Sequence, residues 1–358
     1  MAWIQRLACS LAALAAFALG GQAAATELRV IGGLAGVNQY VHLEEPFWRD
    51  DLPRLSKGRL SAKISPFDRS GLKAQEMLQL MKMGIVEFGT AILSVVDSED
   101  PELAAIDLSG LNPDMASLKR SVAAFRPALE ARLRERYNVQ LLAVYAYPAQ
   151  VLFCTGTFSG LNDLAGRKVR TSSVSQSDMF AALGAIPTVV PFAQMPDAVR
   201  RKVVDCAVTG TLSGNEVGLA DVSTHLHGLP INWGVSIFGV NAAAWKALDE
   251  KDRVLIADAV QALETRIWQS AERDTMTGLY CNTGDARCSG VSAKSLALVP
   301  ASKEDGKVVR KVFVESVLPR WAARCGSSCA KTWNGTLPAA TGIRFDERGI
   351  PAAADPSN

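Results

Sequence analysis

The chain is poor in the residues on which most chemistry relies. Three histidines, His42, His225 and His227, occur in 358 residues, and none adjoins a nucleophile motif. There is no G-x-S-x-G elbow, Walker loop, H-E-x-x-H pair or G-x-G-x-x-G turn, so the usual signatures of a serine hydrolase, an NTPase, a zinc protease and a dinucleotide enzyme are missing. Excess charge is missing too. With 38 Lys+Arg against 36 Asp+Glu the formal charge is +2, too little to neutralise a phosphate backbone, and no nucleic acid partner is expected. Past residue 25 no run reaches the ~18 apolar residues of a membrane span. No enzyme activity, cofactor or metal is expected. What is present is 48% hydrophobic residues, enough for sizeable cores, over a length suggesting two domains at ~150 residues each.

Residues 1–25 carry Arg6 as their only charge, then LACSLAALAAFALGG, then Ala23-Ala24-Ala25. This reads as a secretory signal peptide cleaved before Thr26, since the apolar run is short, Ala-rich and broken by glycine. Removing it takes Cys9 from the seven cysteines and leaves six, an even number that permits complete pairing in an oxidising compartment. Cys281 and Cys288 flank NTGDAR, and Cys325 and Cys329 flank GSS; both are read as disulfide-stapled loops. Four thiolates around zinc are the alternative, weakened because neither spacing is C-x-x-C. Cys154 and Cys206 sit in apolar runs, either as small buried hydrophobes or as the nucleophile of a thiol enzyme with a histidine in reach. His225-Leu-His227 is read as solvated loop rather than a metal pair, and Glu44, Glu45, Asp50 and Asp51 as a solvated helix face.

Along the mature chain strand-like and helical runs alternate. ELRVIGG is followed by a helical stretch to Gly58, LSAKISPF by SGLKAQEMLQLMKMG, and LAGRKVRTS by SDMFAALGA, a pattern that predicts a parallel or mixed sheet covered by helices. INWGVSIFGVNAAAW reads as one long strand. The next thirty or so residues hold helical periodicity without a proline, enough to span on the order of 45 Å and brace two lobes. Residues 346–358 read as a flexible tail.

Residues 159–210 carry the informative pattern. Asp163-Leu164-Ala165-Gly166-Arg167-Lys168-Val169-Arg170, Leu183-Gly184-Ala185-Ile186-Pro187, Pro191-Phe192-Ala193-Gln194 and Val203-Val204-Asp205 follow one another, and upstream stand GLKAQEMLQLMKMGIVEFG and PELAAIDLSGL. In this order and spacing they resemble the solute-binding proteins of tripartite ATP-independent periplasmic (TRAP) transporters, of the DctP type, over about residues 27–320. The resemblance implies an α/β, two-lobed periplasmic binding protein fold with hinge strands and a long helix spanning both lobes. One lobe would comprise 26–148 and 237–275, the other 149–236 and 276–345. It also implies a periplasmic monomer that captures a small organic acid and delivers it to TRAP membrane permease subunits. A ligand-sensing or orphan binding protein is the alternative.

In the family an arginine at the position of Arg170 grips the ligand carboxylate with two prongs, a task that suits a planar guanidinium. Phe192 aligns with an aromatic of the family's pocket. Two departures retune the polar contacts: Thr209 stands in place of an asparagine, and Gln150 where some acid-binding members have a second arginine. Asn38 and Gln39 after the Gly-rich GGLAGV turn, Thr90, and Trp233 near the hinge complete the candidate ligand contacts.

Overall fold

The computed structural model describes residues 25–353, so most of the leader and residues 354–358 lie outside the described residues. In chain order the strands of the first half are β1 (Thr26–Gly32), β2 (Leu60–Pro66), β3 (Phe88–Ile92), β4 (Val139–Tyr145), β5 (Gln150–Cys154) and β6 (Lys168–Thr171). They are followed by β7 (Ile186–Val189), β8 (Cys206–Gly210), β9 (His225–Asn232), β10 (Ser236–Asn241), β11 (Ala297–Val299), β12 (Ile343–Phe345) and β13 (Pro351–Ala353).

Two main sheets form. One has the order β2-β1-β3-β10-β4 and the other β11-β9-β5-β8-β6-β7. β1 is parallel to β2 and β3, β6 is parallel to β7 and β8, and β5 and β10 run antiparallel to both their neighbours. The chain therefore passes between the sheets twice in the middle, through residues 146–149 from β4 to β5 and through Trp233–Val235 from β9 to β10.

INWGVSIFGVNAAAW is thus not one strand. Asp107 accepts the backbone N–H groups of Trp233 (2.9 Å) and Val235 (3.0 Å), which withdraws these two donors from any strand ladder, and Asn241 caps a following helix, Ala242–Ala247. The expected tail also departs from the reading, since Pro351–Ala353 pairs antiparallel with Ile343–Phe345. The Asp346 carboxylate closes that turn by accepting the N–H groups of Arg348 and Ile350.

The long helix is Glu250–Thr283, 34 residues or about 51 Å. Ile256, Val260, Leu263 and Ile267, at i, i+4, i+7 and i+11, lie on the first sheet in a core with Trp48, Phe88, Tyr145 and Phe238. Farther along, the helix passes the helix Thr211–Glu216, which follows β8 of the second sheet, at Gly278, where a Cβ would collide with the backbone of Thr211 and Leu212. Backbone cannot step aside as a side-chain tip can. Gly278→Ala is therefore expected to lower stability by ~1–3 kcal/mol, read as a lower denaturation midpoint with unchanged slope.

The cysteines are paired as Cys281–Cys288, Cys325–Cys329 and Cys154–Cys206, with Cα separations of 4.5, 5.7 and 4.0 Å. The last pair crosses between β5 and β8, where Cys154 and Cys206 are directly opposite in register. Both are fully buried, and their sulfurs are bonded to each other, which removes the free thiol a cysteine nucleophile needs.

Candidate functional site

In open sheets with parallel strands, ligand groups gather at the carboxyl ends of the strands. Here the carboxyl ends of β2, β3, β6 and β7 converge with the two crossing segments around one cavity of about 370 Å³. The first sheet contributes Phe67 and Asp68 after β2 and Ile92 and Ser94 at the end of β3. From the second sheet come Arg170 and Ser172 at the end of β6, Val190 and Phe192 after β7, and Thr209 on β8. Tyr147, Gln150, Asn232 and Gly234 line it from the crossings.

Arg170 dominates the electrostatics. Its side chain is buried, the residue being 3% exposed, and it donates Nε–H to the Val190 carbonyl (2.8 Å) and Nη1–H to the Val208 carbonyl (2.6 Å). Among the described residues no carboxylate lies within salt-bridge distance, and burial alone pulls its pKa below the ordinary guanidinium value, to about 10. The group stays cationic at neutral pH, desolvated and without a counter-ion. Its two carbonyl contacts orient the fork, and Nη2 has no protein acceptor among the described residues.

A chain of polar side chains fixes the cavity wall. The Ser172 N–H donates to Gln176 Oε1 (2.8 Å), Gln176 Nε2 donates to Asn232 Oδ1 (2.9 Å), and Asn232 Nδ2 donates to Asp107 Oδ2 (3.1 Å). Asp107 comes from the Pro101–Asp107 turn and accepts the Asn232 amide and the backbone N–H groups of Trp233 and Val235, yet burial still pushes its pKa up to about 6.

Arg170, Gln150, Phe192 and Thr209 are brought together as the sequence suggested. Four other expected contacts do not line the cavity. Asn38 donates Nδ2–H to Ser270 Oγ (3.1 Å) and Asp274 Oδ2 (2.7 Å), and its backbone N–H to Glu216 Oε2 (3.2 Å), so it ties the turn after β1 to the long helix and to the helix after β8. Gln39 is buried and donates to Glu44 Oε1 (2.6 Å). Thr90 is buried in mid-strand opposite Phe238, on the face that carries the core. Trp233 donates its indole N–H to the Asn112 carbonyl (2.9 Å), packing within the crossing rather than facing solute.

Sequence reasoning did not single out Asp68, Ser94, Tyr147, Ser172 or Asn232. The strand-end rule flags Asp68, Ser94 and Ser172, because each lies within two residues after the end of a strand; Tyr147 and Asn232 become visible only once the crossings are placed.

Glu44 corrects the solvated-face reading. It is 0% exposed, taking the Gly33 N–H (2.8 Å) and the Gln39 amide, while Glu45, Asp50 and Asp51 stay at the surface. His225 Nδ1 shares a hydrogen with Thr224 Oγ1 (2.8 Å), and the buried His227 has Nε2 3.4 Å from Asp305 Oδ2.

Burial raises Glu44 and Glu216 to about 7, and Asp97 and Asp107 to about 6. A carboxyl whose folded pKa exceeds its unfolded value binds protons more tightly when folded. The resulting stability is fully present below the unfolded value near 4 and is lost as pH rises through 6 to 7. Burial of His227, held below its ordinary value, works in the opposite sense. With Asp274, which burial also raises, five carboxyls against one histidine predict a melting temperature that rises as pH falls from 8 to 5, and Glu44→Gln should flatten that rise. Scanning calorimetry across the range checks both.

The model of bacterial extracellular solute-binding protein, family 7 (DctP) matches residues 31–279. The chain belongs to this family. A solute-binding protein of Roseobacter denitrificans is 22% identical over 301 residues, covering 80% of this chain and 90% of its own. The structure of DctP7, a Bordetella pertussis extracytoplasmic solute receptor binding pyroglutamic acid, superposes with a TM-score of 0.75 at 22% identity, covering 87% of this chain and 99% of the other. A TRAP periplasmic solute-binding protein from Rhodoferax ferrireducens with bound malonate gives 0.73 at 18% identity, covering 86% and 95%. As a family 7 solute-binding protein, the chain has the two-lobed α/β fold of these structures, and its cavity lies where the two sheets meet.

Proposed function

We propose that this family 7 protein works in the periplasm as the solute receptor of a TRAP transporter, capturing a small organic acid between its lobes and delivering it to the membrane permease subunits as a monomer. The observation that carries the reading is Arg170, a buried guanidinium on the cavity wall with no acidic partner among the described residues. An unpaired buried charge is costly unless a ligand completes it. A carboxylate supplies both the charge and the two oxygens that the fork fits. The neighbours bound to pyroglutamic acid and malonate are consistent with this class.

Residues 26–148 with 237–275 form one lobe and 149–236 with 276–345 the other, turning about the crossings at 146–149 and 233–235. Closure on the ligand removes water from the Arg170 pair and presents one shape to the permease. Mature protein purified from its natural host compartment should release an organic acid on denaturation, identified by mass spectrometry. Solution scattering should show a smaller radius of gyration with saturating acid than without. Stabilisation by neutral sugars and by no acid would overturn the carboxylate reading, and unchanged scattering at demonstrated saturation would overturn the hinge.

A further inference from the structure

The two walls of the cavity carry opposite, unneutralised charges. Opposite Arg170, the first-sheet wall presents Asp68, held in the short turn Phe67–Arg69 that follows β2. Asp68 Oδ1 accepts the N–H of Ala35 at 2.8 Å, which fixes the carboxylate against the turn after β1. Oδ2 has no hydrogen-bond donor, and no cation pairs with Asp68, among the described residues. Lys73 lines the same wall, but its side chain is largely exposed to water and its ammonium meets Glu76 at 3.1 Å. Burial, then the charge of Glu44 and last that of Asp68, raises the pKa of the Tyr147 hydroxyl, another lining group, well above its ordinary value.

We propose that Asp68 selects the ligand's second functional group. The solute is a monocarboxylate that also carries a nitrogen donor, either a ring N–H or an ammonium, placed to donate to Asp68 Oδ2 while its carboxylate meets Arg170. This deepens the carboxylate reading above and rests on it. A dicarboxylate of the same length would bring its second negative charge against Asp68 in a cleft emptied of water, where like charges repel strongly. A lactam or amino acid instead makes a charge-assisted hydrogen bond there. A cavity of about 370 Å³ suits a solute of that size.

The test is isothermal titration of the mature chain with L-pyroglutamate and L-proline on one side and succinate and glutarate on the other, in the parent and in Asp68→Asn. The amide keeps an oxygen for the Ala35 N–H, so the turn is retained. In the parent at least one nitrogen-bearing acid should bind tenfold or more tighter than either dicarboxylate. Asp68→Asn should cut that ratio at least tenfold, weakening the nitrogen-bearing acid and strengthening the dicarboxylate. A parent that prefers the dicarboxylates, or a ratio unmoved in Asp68→Asn, overturns the role of Asp68 and leaves the carboxylate reading standing. Failure of all four acids, with binding of neutral solutes instead, overturns both.

Discussion

Arg170→Ala is expected to weaken acid binding by two to four decades in Kd while leaving the ligand-free protein close to its parent stability. Removing one partner of a buried ion pair typically costs ~3–5 kcal/mol, because the other charge is left desolvated and alone. In the free protein the balance differs. The variant loses the hydrogen bonds to the Val190 and Val208 carbonyls, but it also loses a guanidinium whose charge burial disfavours. Arg170→Lys keeps the charge without the fork and should regain only part of the loss. Gln150→Ala should be milder, near ~0.5–1.5 kcal/mol, since a neutral hydrogen bond contributes no more. Calorimetric titration ranks the three, with thermal melts of each free variant alongside. Parent-like affinity in Arg170→Ala would remove the site assignment altogether.

The double variant Cys154→Ala/Cys206→Ala should show the largest loss of stability among the disulfide deletions. Its pair closes a loop with a sequence separation of 52, against 7 for Cys281–Cys288 and 4 for Cys325–Cys329. In the chain-entropy account a loop of 52 residues confers about 4 kcal/mol by restricting the unfolded chain, and shorter loops confer less. The removed sulfurs also come from the fully buried interior of the second sheet, so a small packing defect adds to the loss. Denaturant titration under non-reducing conditions gives the order of the three double variants. If loss of the Cys281–Cys288 pair destabilised more than loss of Cys154–Cys206, loop entropy would not be the controlling factor.

Much of the fold was written locally. Alternating strand and helix patterns announced an α/β architecture, and the thirty-residue periodic run marked the bracing helix, because the side-chain spacing of 2 or 3.6 residues is a property of the chain itself. Arg170 was legible for a related reason. It ends a short strand in a recognisable pattern, and the end of such a strand is where a sheet of this kind exposes ligand groups. The short-loop cysteine pairs were legible too, since a separation of 4 or 7 residues leaves their thiols little else to meet.

Other features depended on contacts between distant residues. INWGVSIFGVNAAAW has the composition of a strand, yet Asp107, more than a hundred residues away, takes the N–H groups of Trp233 and Val235 and turns the segment into a crossing. Glu44 reads as one more surface acid in a charged run, and only the arrival of Gly33 and Gln39 makes it a buried one. Asn38 is polar and follows a glycine turn, a common place for a ligand residue, but the long helix offers it Ser270 and Asp274 first. Cys154 and Cys206 became partners when β5 and β8 came into register. By itself the sequence determined the α/β class, the long helix and the placing of Arg170 at a strand end, all consequences of local periodicity and strand order. Tertiary structure alone decided which polar groups face the cavity and which are spent on holding the lobes together, because a hydrogen-bonding group answers to whatever partner folding brings within about 3 Å of it.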